Sequence, residues 1–160
     1  MSQAATRRLW LLIAAIVVVD QLTKHWALNR LSGGRTIDIV GSLRFNLAFN
    51  KGMAFSQATG AGPVIGALAF VIIIVIVLWM RRSATGVAAV AAGLIVGGAL
   101  GNLIDRIFRN DAWLRGAVVD FIDLQWFPVF NVADSCITVG AVLMVLASLR
   151  SKPVAPPAGQ

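Results

Sequence analysis

The sequence predicts an all-α membrane protein, four transmembrane helices with a small extracytoplasmic β element in the first loop, on three observations. The chain of 160 residues is 58% apolar and only 13% charged, more apolar surface than a soluble chain of one-domain length can bury. Its apolar residues collect in four runs, 9–27, 63–80, 85–103 and 132–149, each near the roughly 20 helical residues that cross a hydrocarbon core about 30 Å thick. Between the first two runs, Leu43, Phe45, Leu47 and Phe49 alternate with Arg44, Asn46 and Ala48, which is the period of a strand.

Arg7 and Arg8 precede the first run, as they would in a cleavable signal peptide. No small-residue cleavage pattern follows it and three further spans do, so a retained first helix is expected. The short segments before helix 1, between helices 2 and 3, and after helix 4 carry Arg7, Arg8, Arg81, Arg82, Arg150 and Lys152 without a single acid. Dense positive charge in short loops beside helix ends marks the cytoplasmic side, so both termini are expected inside. The tryptophans agree: Trp10 and Trp79 fall near inner ends and Trp26 at an outer end.

In the first loop, 36–40 offers a partner for the alternating strand, and Gly41-Ser42 suits a two-residue hairpin turn with Gly first. The apolar side of this sheet should face lipid or the helix bundle. Asn50-Lys51-Gly52 reads as a turn; Gly60, Gly62 and Pro63 punctuate the entry to helix 2, where Pro is tolerated at the first position. In helix 3, Gly93, Gly97 and Gly101 recur every four residues, a stripe that lets another helix approach closely. No strand precedes it, so it is not a nucleotide-binding loop. Residues 1–150 read as one domain and 151–160, rich in Pro and Ala, as a disordered cytoplasmic tail.

The formal charge of +7 does not mark a nucleic-acid binder, because the basic residues are scattered around helix ends. Cys136 is single, so it has no partner for an internal disulfide. His25, the only histidine, reads as an interfacial side chain at a helix end; nothing brings it to Ser135 or Cys136 for nucleophilic chemistry. Aspartates without His or Cys would suit only a hard cation, and no metal or other cofactor is expected.

Charged groups at membrane depth are costly and need a partner or a task. Asp20 and Lys24 stand four apart in the outer half of helix 1, either as an ion pair whose lysine snorkels outward or as residues that fix a substrate. Asn102, Asp105 and Arg106 close helix 3. Asp105 and Arg106 read as a terminal salt bridge, or Asn102 and Arg106 as groups orienting a carboxylate or a substrate carbonyl. Asn131 and Asp134 open helix 4 as cap and first-turn acid. Capping does not explain the second acidic cluster, Val-Val-Asp-Phe-Ile-Asp at 118–123, just before it within an apolar loop.

Two carboxylates converging at a dry site share one proton, which lets one take a proton from water while the other polarises a carbonyl. Asp134 with either Asp120 or Asp123 fits that description, and spacing does not choose between them. Other readings are a small transporter using its aspartates as a proton relay, disfavoured because the acids lie at one face and not at the midplane, and a non-catalytic assembly or chaperone subunit in which the aspartates only bind.

The segments VDQLTK (19–24), FNKGMAFS (49–56), GNLIDR (101–106), VVDF (118–121) and FNVADS (130–135), in this order across four spans, resemble the lipoprotein signal peptidases of bacteria, also called signal peptidase II. The resemblance covers nearly the whole chain. It implies an aspartic endopeptidase of the inner membrane that cuts the signal peptide from diacylglyceryl-modified prolipoproteins just before the lipidated cysteine. It implies a site at the periplasmic face in contact with membrane lipid, with no nucleic acid, no cofactor and a monomeric enzyme. By motif the catalytic pair becomes Asp120 and Asp134, with Asp123 an acidic neighbour. Asp20, Lys24, Asn50, Gly52, Asn102, Asp105, Arg106 and Asn131 match the family's other polar site positions. Lys51 and Met53 stand where smaller residues are usual, the stretch from Arg106 to Asp120 is longer than usual, and that from Asp120 to Asp134 is shorter.

Overall fold

Four helices, Gln3–Leu31 (α1), Gly62–Ser83 (α2), Gly86–Phe108 (α3) and Val132–Arg150 (α4), carry a sheet of three strands, Thr36–Val40 (β1), Leu43–Asn50 (β2) and Val118–Asp123 (β3). A computed structural model describes residues 2–52, 62–83, 86–109, 114 and 116–150. Thr85, where the third apolar run begins, Met53, Gly60 and the 151–160 segment lie outside the described residues. All four helices are long and apolar enough to cross a membrane. Val71, Val75 and Leu78 on α2 and Val139, Val142, Val145 and Leu149 on α4 are exposed, surfaces that only lipid solvates at no cost. The chain is a multi-pass membrane protein.

The glycine stripe of α3 lies against α1. A Cβ on Gly97 would meet Ile16 at 3.0 Å, and one on Gly101 would meet Asp20 Oδ2 at 2.5 Å. Gly98, one residue off the stripe, faces α4: a Cβ there would strike the carbonyl of Ala133 and reach Ile137 Cγ1 at 2.8 Å. Because Ala133 precedes Asp134, this contact sets the depth of the acid at the head of α4. Gly98→Ala is expected to lower stability by about 1–3 kcal/mol through overpacking, as thermal unfolding in micelles would show.

The hairpin forms with Val40 paired to Leu43 and Gly41 at φ +56, the positive φ that a two-residue turn with Gly first requires. The apolar side of the sheet meets the helices. Phe45 and Leu47 pack with Ala27, Leu31 and Phe121, and Trp26 stands edge-on to Phe45 with centroids 5.2 Å apart.

The segment 118–123, read from sequence as an apolar loop, is instead a strand. It pairs antiparallel with β2 in the order β1-β2-β3, so the β element draws on two loops. Every residue of β3 except Ile122 is buried. A strand covered on both faces loses the polar alternation by which β2 is recognised.

Candidate active site

Successive strand residues point to opposite faces, so Asp120 and Asp123, three apart on β3, face opposite ways. Only one can meet Asp134. Asp123 takes the far side, where Arg44 lies directly across from it on β2 and bonds it at 2.8 Å. Asp123 also accepts hydrogen bonds from Asn46 Nδ2 at 3.3 Å and Gln125 N at 2.7 Å. Burial acts to raise its carboxyl, but these donors hold it below the ordinary carboxylate range.

Asp120 turns toward α4, and a bulge in β2 sends Asn50 to join it. The register runs Phe45 to Ile122 before the bulge and Ala48 to Asp120 and Asn50 to Val118 after it. Without the extra residue Asn50 would fall on the face of Asp123, since one inserted residue inverts everything beyond it. Asn50 Oδ1 accepts from Gly52 N at 2.9 Å, with Gly52 at φ +94, and the Asn50 side chain hydrogen-bonds Asp120.

Asn131 buckles the two acids together. Its Nδ2 donates to Asp120 Oδ1 at 2.6 Å, its backbone N donates to Asp134 Oδ2 at 3.2 Å, and its Oδ1 accepts from Asp134 N at 2.9 Å. The last two bonds form a capping box at the start of α4. The structural cap and the site residue are therefore the same side chain. Burial, then the charge of Asp134, pushes the Asp120 carboxyl up to about 7, against the pull of Asn131, Asn50 and Lys24.

Behind the acids lies a dry polar layer. Lys24, fully buried, bonds Asp20 Oδ2 at 2.8 Å, Asp105 Oδ2 at 2.9 Å and Asn102 Oδ1 at 2.9 Å. The expected Asp20–Lys24 pair is present, but the lysine does not snorkel: acceptors from α3 draw it inward. Asp20 Oδ1 accepts from Ala133 N at 2.9 Å, satisfying a second free donor at the head of α4. Asn102 Nδ2 donates to Asp134 Oδ1 at 2.7 Å, and Asn102 Oδ1 also accepts from Asn131 Nδ2 at 3.1 Å. Asp105 pairs with Lys24 and, at 2.6 Å, with Arg109, and fixes β3 through Val119 N at 3.1 Å. The expected bridge from Asp105 to Arg106 is not among the ion pairs of the described residues, because consecutive helix residues diverge. Arg106 is buried with its Nε unpaired among the described residues and feels the charges of Asp134, Asp120 and Asp105.

The profile of signal peptidase (SPase) II matches residues 12–150, which take in all three strands, α2, α3, α4 and α1 from residue 12 onward. The chain belongs to the signal peptidase II family. It is 46% identical to a lipoprotein signal peptidase of Mycobacterium leprae, over 89% of this chain and 72% of the relative. To one of Mycobacterium tuberculosis it is 43% identical, over 91% and 74%. A bacterial membrane enzyme solved by the in meso method at 2.3 Å shares 31% identity and superposes with a TM-score of 0.79, covering 89% of this chain and 88% of that one.

Within this signal peptidase II fold, sequence reasoning missed two site-supporting residues. Gln21 Nε2 donates to Gly101 O at 3.0 Å and Asp105 Oδ1 at 3.1 Å, and Arg109 closes the same carboxylate. Gln21 adjoins Asp20 and lies three residues from Lys24, so a wedge of α1 is polar; that was the available signal. His25 stays outside, bonded to Asn29 one turn along α1 at 2.9 Å. The Ser135 hydroxyl donates back to Asn131 O at 3.0 Å.

Proposed function

We propose that the chain is an aspartic endopeptidase that removes the signal peptide from diacylglyceryl-modified prolipoproteins, cutting just before the lipidated cysteine. The observation that carries this is Asn131 holding Asp120 and Asp134 to one another from a single residue. The names of the relatives supply the substrate class. The positive loops support an orientation with both termini in the cytoplasm and the acids at the opposite face, which in the inner membrane is the periplasmic one.

Charge balance supports a dyad with one proton. Lys24, Arg106 and Arg109 face Asp20, Asp105 and Asp134, three cations against three anions, so neutrality in this dry layer needs Asp120 protonated. Asp134, held by Asn102 Nδ2 and Asn131 N at the positive end of α4, is the base. It takes a proton from water as the hydroxyl oxygen attacks the scissile carbon, and Asp120 gives its proton to the carbonyl oxygen. Collapse of the tetrahedral intermediate returns that proton to Asp120, while Asp134 delivers the other to the departing amide nitrogen. Arg106, buried with its Nε unpaired among the described residues, is the donor we assign to the oxygen on which charge develops. No cofactor enters this cycle.

The test is cleavage of a purified diacylglyceryl prolipoprotein in micelles, read as loss of the mass of the signal peptide; no cleavage would refute the proposal. Asp123→Asn is expected to keep substantial activity, because an Asn oxygen still accepts from Gln125 N and only the ion pair with the partly exposed Arg44 is lost. A pH profile of kcat/KM is expected to fall as pH rises past about 7, where Asp120 loses its proton. A rate that climbs through that range would remove Asp120 as the acid.

A further inference from the structure

At the end of the bundle away from the acids, α1 and α3 part company. The two helices run side by side along the glycine stripe, and a Cβ on Gly93 would meet Leu9 Cδ1 at 2.7 Å and Leu12 Cδ2 at 3.3 Å. Beyond that contact, toward both N-termini, the residues lining the gap include Ser2, Ala4, Ala5, Gly86 and Ala89, too small to fill it. What remains is a groove of about 530 Å³ with Leu9, Leu12 and Val90 as its deep walls and Arg8 at its rim. From Ser2 to Leu12 an α-helix rises about 15 Å, one leaflet's share of a hydrocarbon core about 30 Å thick. The neighbouring crevice between α1 and α2, lined by Trp10, Val77 and Met80, holds only about 140 Å³.

Charge selects the occupant. No Asp or Glu occurs in residues 1–19, 39–104 or 135–160, so this end of all four helices lacks a carboxylate side chain. Arg8 makes no ion pair or hydrogen bond among the described residues. Arg7 beside it and Arg81, in the crevice on the other side of Leu9, strengthen the positive field, and the N-terminal end of α3 adds to it. The groove therefore offers an apolar slot one leaflet deep beneath an unpaired guanidinium.

We infer that this groove holds an anionic phospholipid of the leaflet opposite the acids, with its phosphate on Arg8 and one acyl chain between α1 and α3. Basic pockets between membrane helices take anionic head groups in this way, and guanidinium with phosphate is among the stronger charged hydrogen bonds. A zwitterionic lipid would bring a second cation into the same field. An extended peptide in the slot would bury backbone donors and acceptors without partners. The site stands apart from the peptidase reading, since the groove shares no residue with the acid site. Its consequence is mechanical: the lipid braces the ends of α1 and α3, the same two helices that Lys24 and Asn102 join at the acid layer.

The test uses the full chain released from vesicles of equal parts phosphatidylglycerol and phosphatidylcholine with identical acyl chains, and reads the retained lipid by native mass spectrometry. Wild type is expected to keep one phosphatidylglycerol in preference to phosphatidylcholine. Arg8→Gln is expected to cut that preference by about fivefold or more. Arg7→Gln removes the same formal charge one residue away, outside the groove, and is expected to keep most of it. Ala5→Trp, at an exposed position, fills the groove without changing charge and is expected to lose the lipid. Thermal unfolding in neutral micelles gives the second readout. Added phosphatidylglycerol should raise the unfolding temperature of wild type and Arg7→Gln but not of Arg8→Gln or Ala5→Trp, by linkage to binding. Equal losses in Arg7→Gln and Arg8→Gln would reduce the effect to diffuse surface charge and overturn the site. So would undiminished retention by Ala5→Trp, equal retention of both lipids, or a second copy of the chain in place of a lipid. Glycerol 3-phosphate that stabilises wild type as much as the lipid does would leave the acyl chain no part and overturn it as well.

Discussion

Asp120→Asn and Asp134→Asn are each expected to lower prolipoprotein cleavage by roughly a thousand- to ten-thousandfold, the scale of losing the general acid or base, in a protein that still folds. Both changes are nearly isosteric, and an Asn oxygen at 134 still accepts from Asn102 Nδ2 and from Asn131 N, so the cap of α4 survives. What it cannot do is take a proton from water. At 120 the amide keeps the bond from Asn131 but has no acidic proton for the substrate carbonyl. The two groups work on one water, so the double variant is expected to be no slower than the worse single one. The stabilities should split. Asp120→Asn retains three cations against three anions and should unfold at the wild-type temperature, whereas Asp134→Asn leaves one buried cation unbalanced and should unfold lower. The check is mass-resolved cleavage alongside thermal unfolding in the same micelles; near wild-type cleavage by either single variant would remove the dyad.

Most of the fold was legible because lipid imposes a simple rule: long apolar runs become helices, and the glycine stripe marks where two of them touch. The hairpin was legible from Leu43, Phe45, Leu47 and Phe49 because one side of it stays polar. β3 was not, since it is buried on both faces, and with β3 unrecognised the choice between Asp120 and Asp123 stayed open to a reading of spacing. The resemblance chose Asp120, and strand geometry supplies a physical reason: residues three apart on a strand face opposite ways. The bulge that turns Asn50 toward Asp120 leaves no mark in the apolar pattern. Nor does the inward turn of Lys24, which depends on Asp105 and Asn102 some eighty residues away and thus on which helices become neighbours.

Lys24→Met is expected to damage stability and chemistry by separable routes. Lys24 is fully buried between Asp20 and Asp105, so its loss strands carboxylates in a dry layer, a cost of about 3–5 kcal/mol for breaking a buried pair. Removing one acid as well, in Lys24→Met with Asp20→Asn, leaves Arg106 and Arg109 against Asp105 and Asp134 and is expected to restore most of the unfolding temperature, because the Asn oxygen still accepts from Ala133 N and Asp105 keeps Arg109. Activity should not return with it. Lys24 only donates and an ionised Asp134 only accepts, so together they allow the Asn102 amide one orientation, oxygen toward the lysine and nitrogen toward the acid. Without Lys24 one of the two donors that hold that oxygen is gone, and the amide is free to rotate its oxygen toward Asp134, where it repels the base and no longer steadies it. A double variant that regains both stability and cleavage would show that Lys24 only neutralises the layer. One that regains stability alone would show that the lysine on α1 positions the base on α4 through the amide between them.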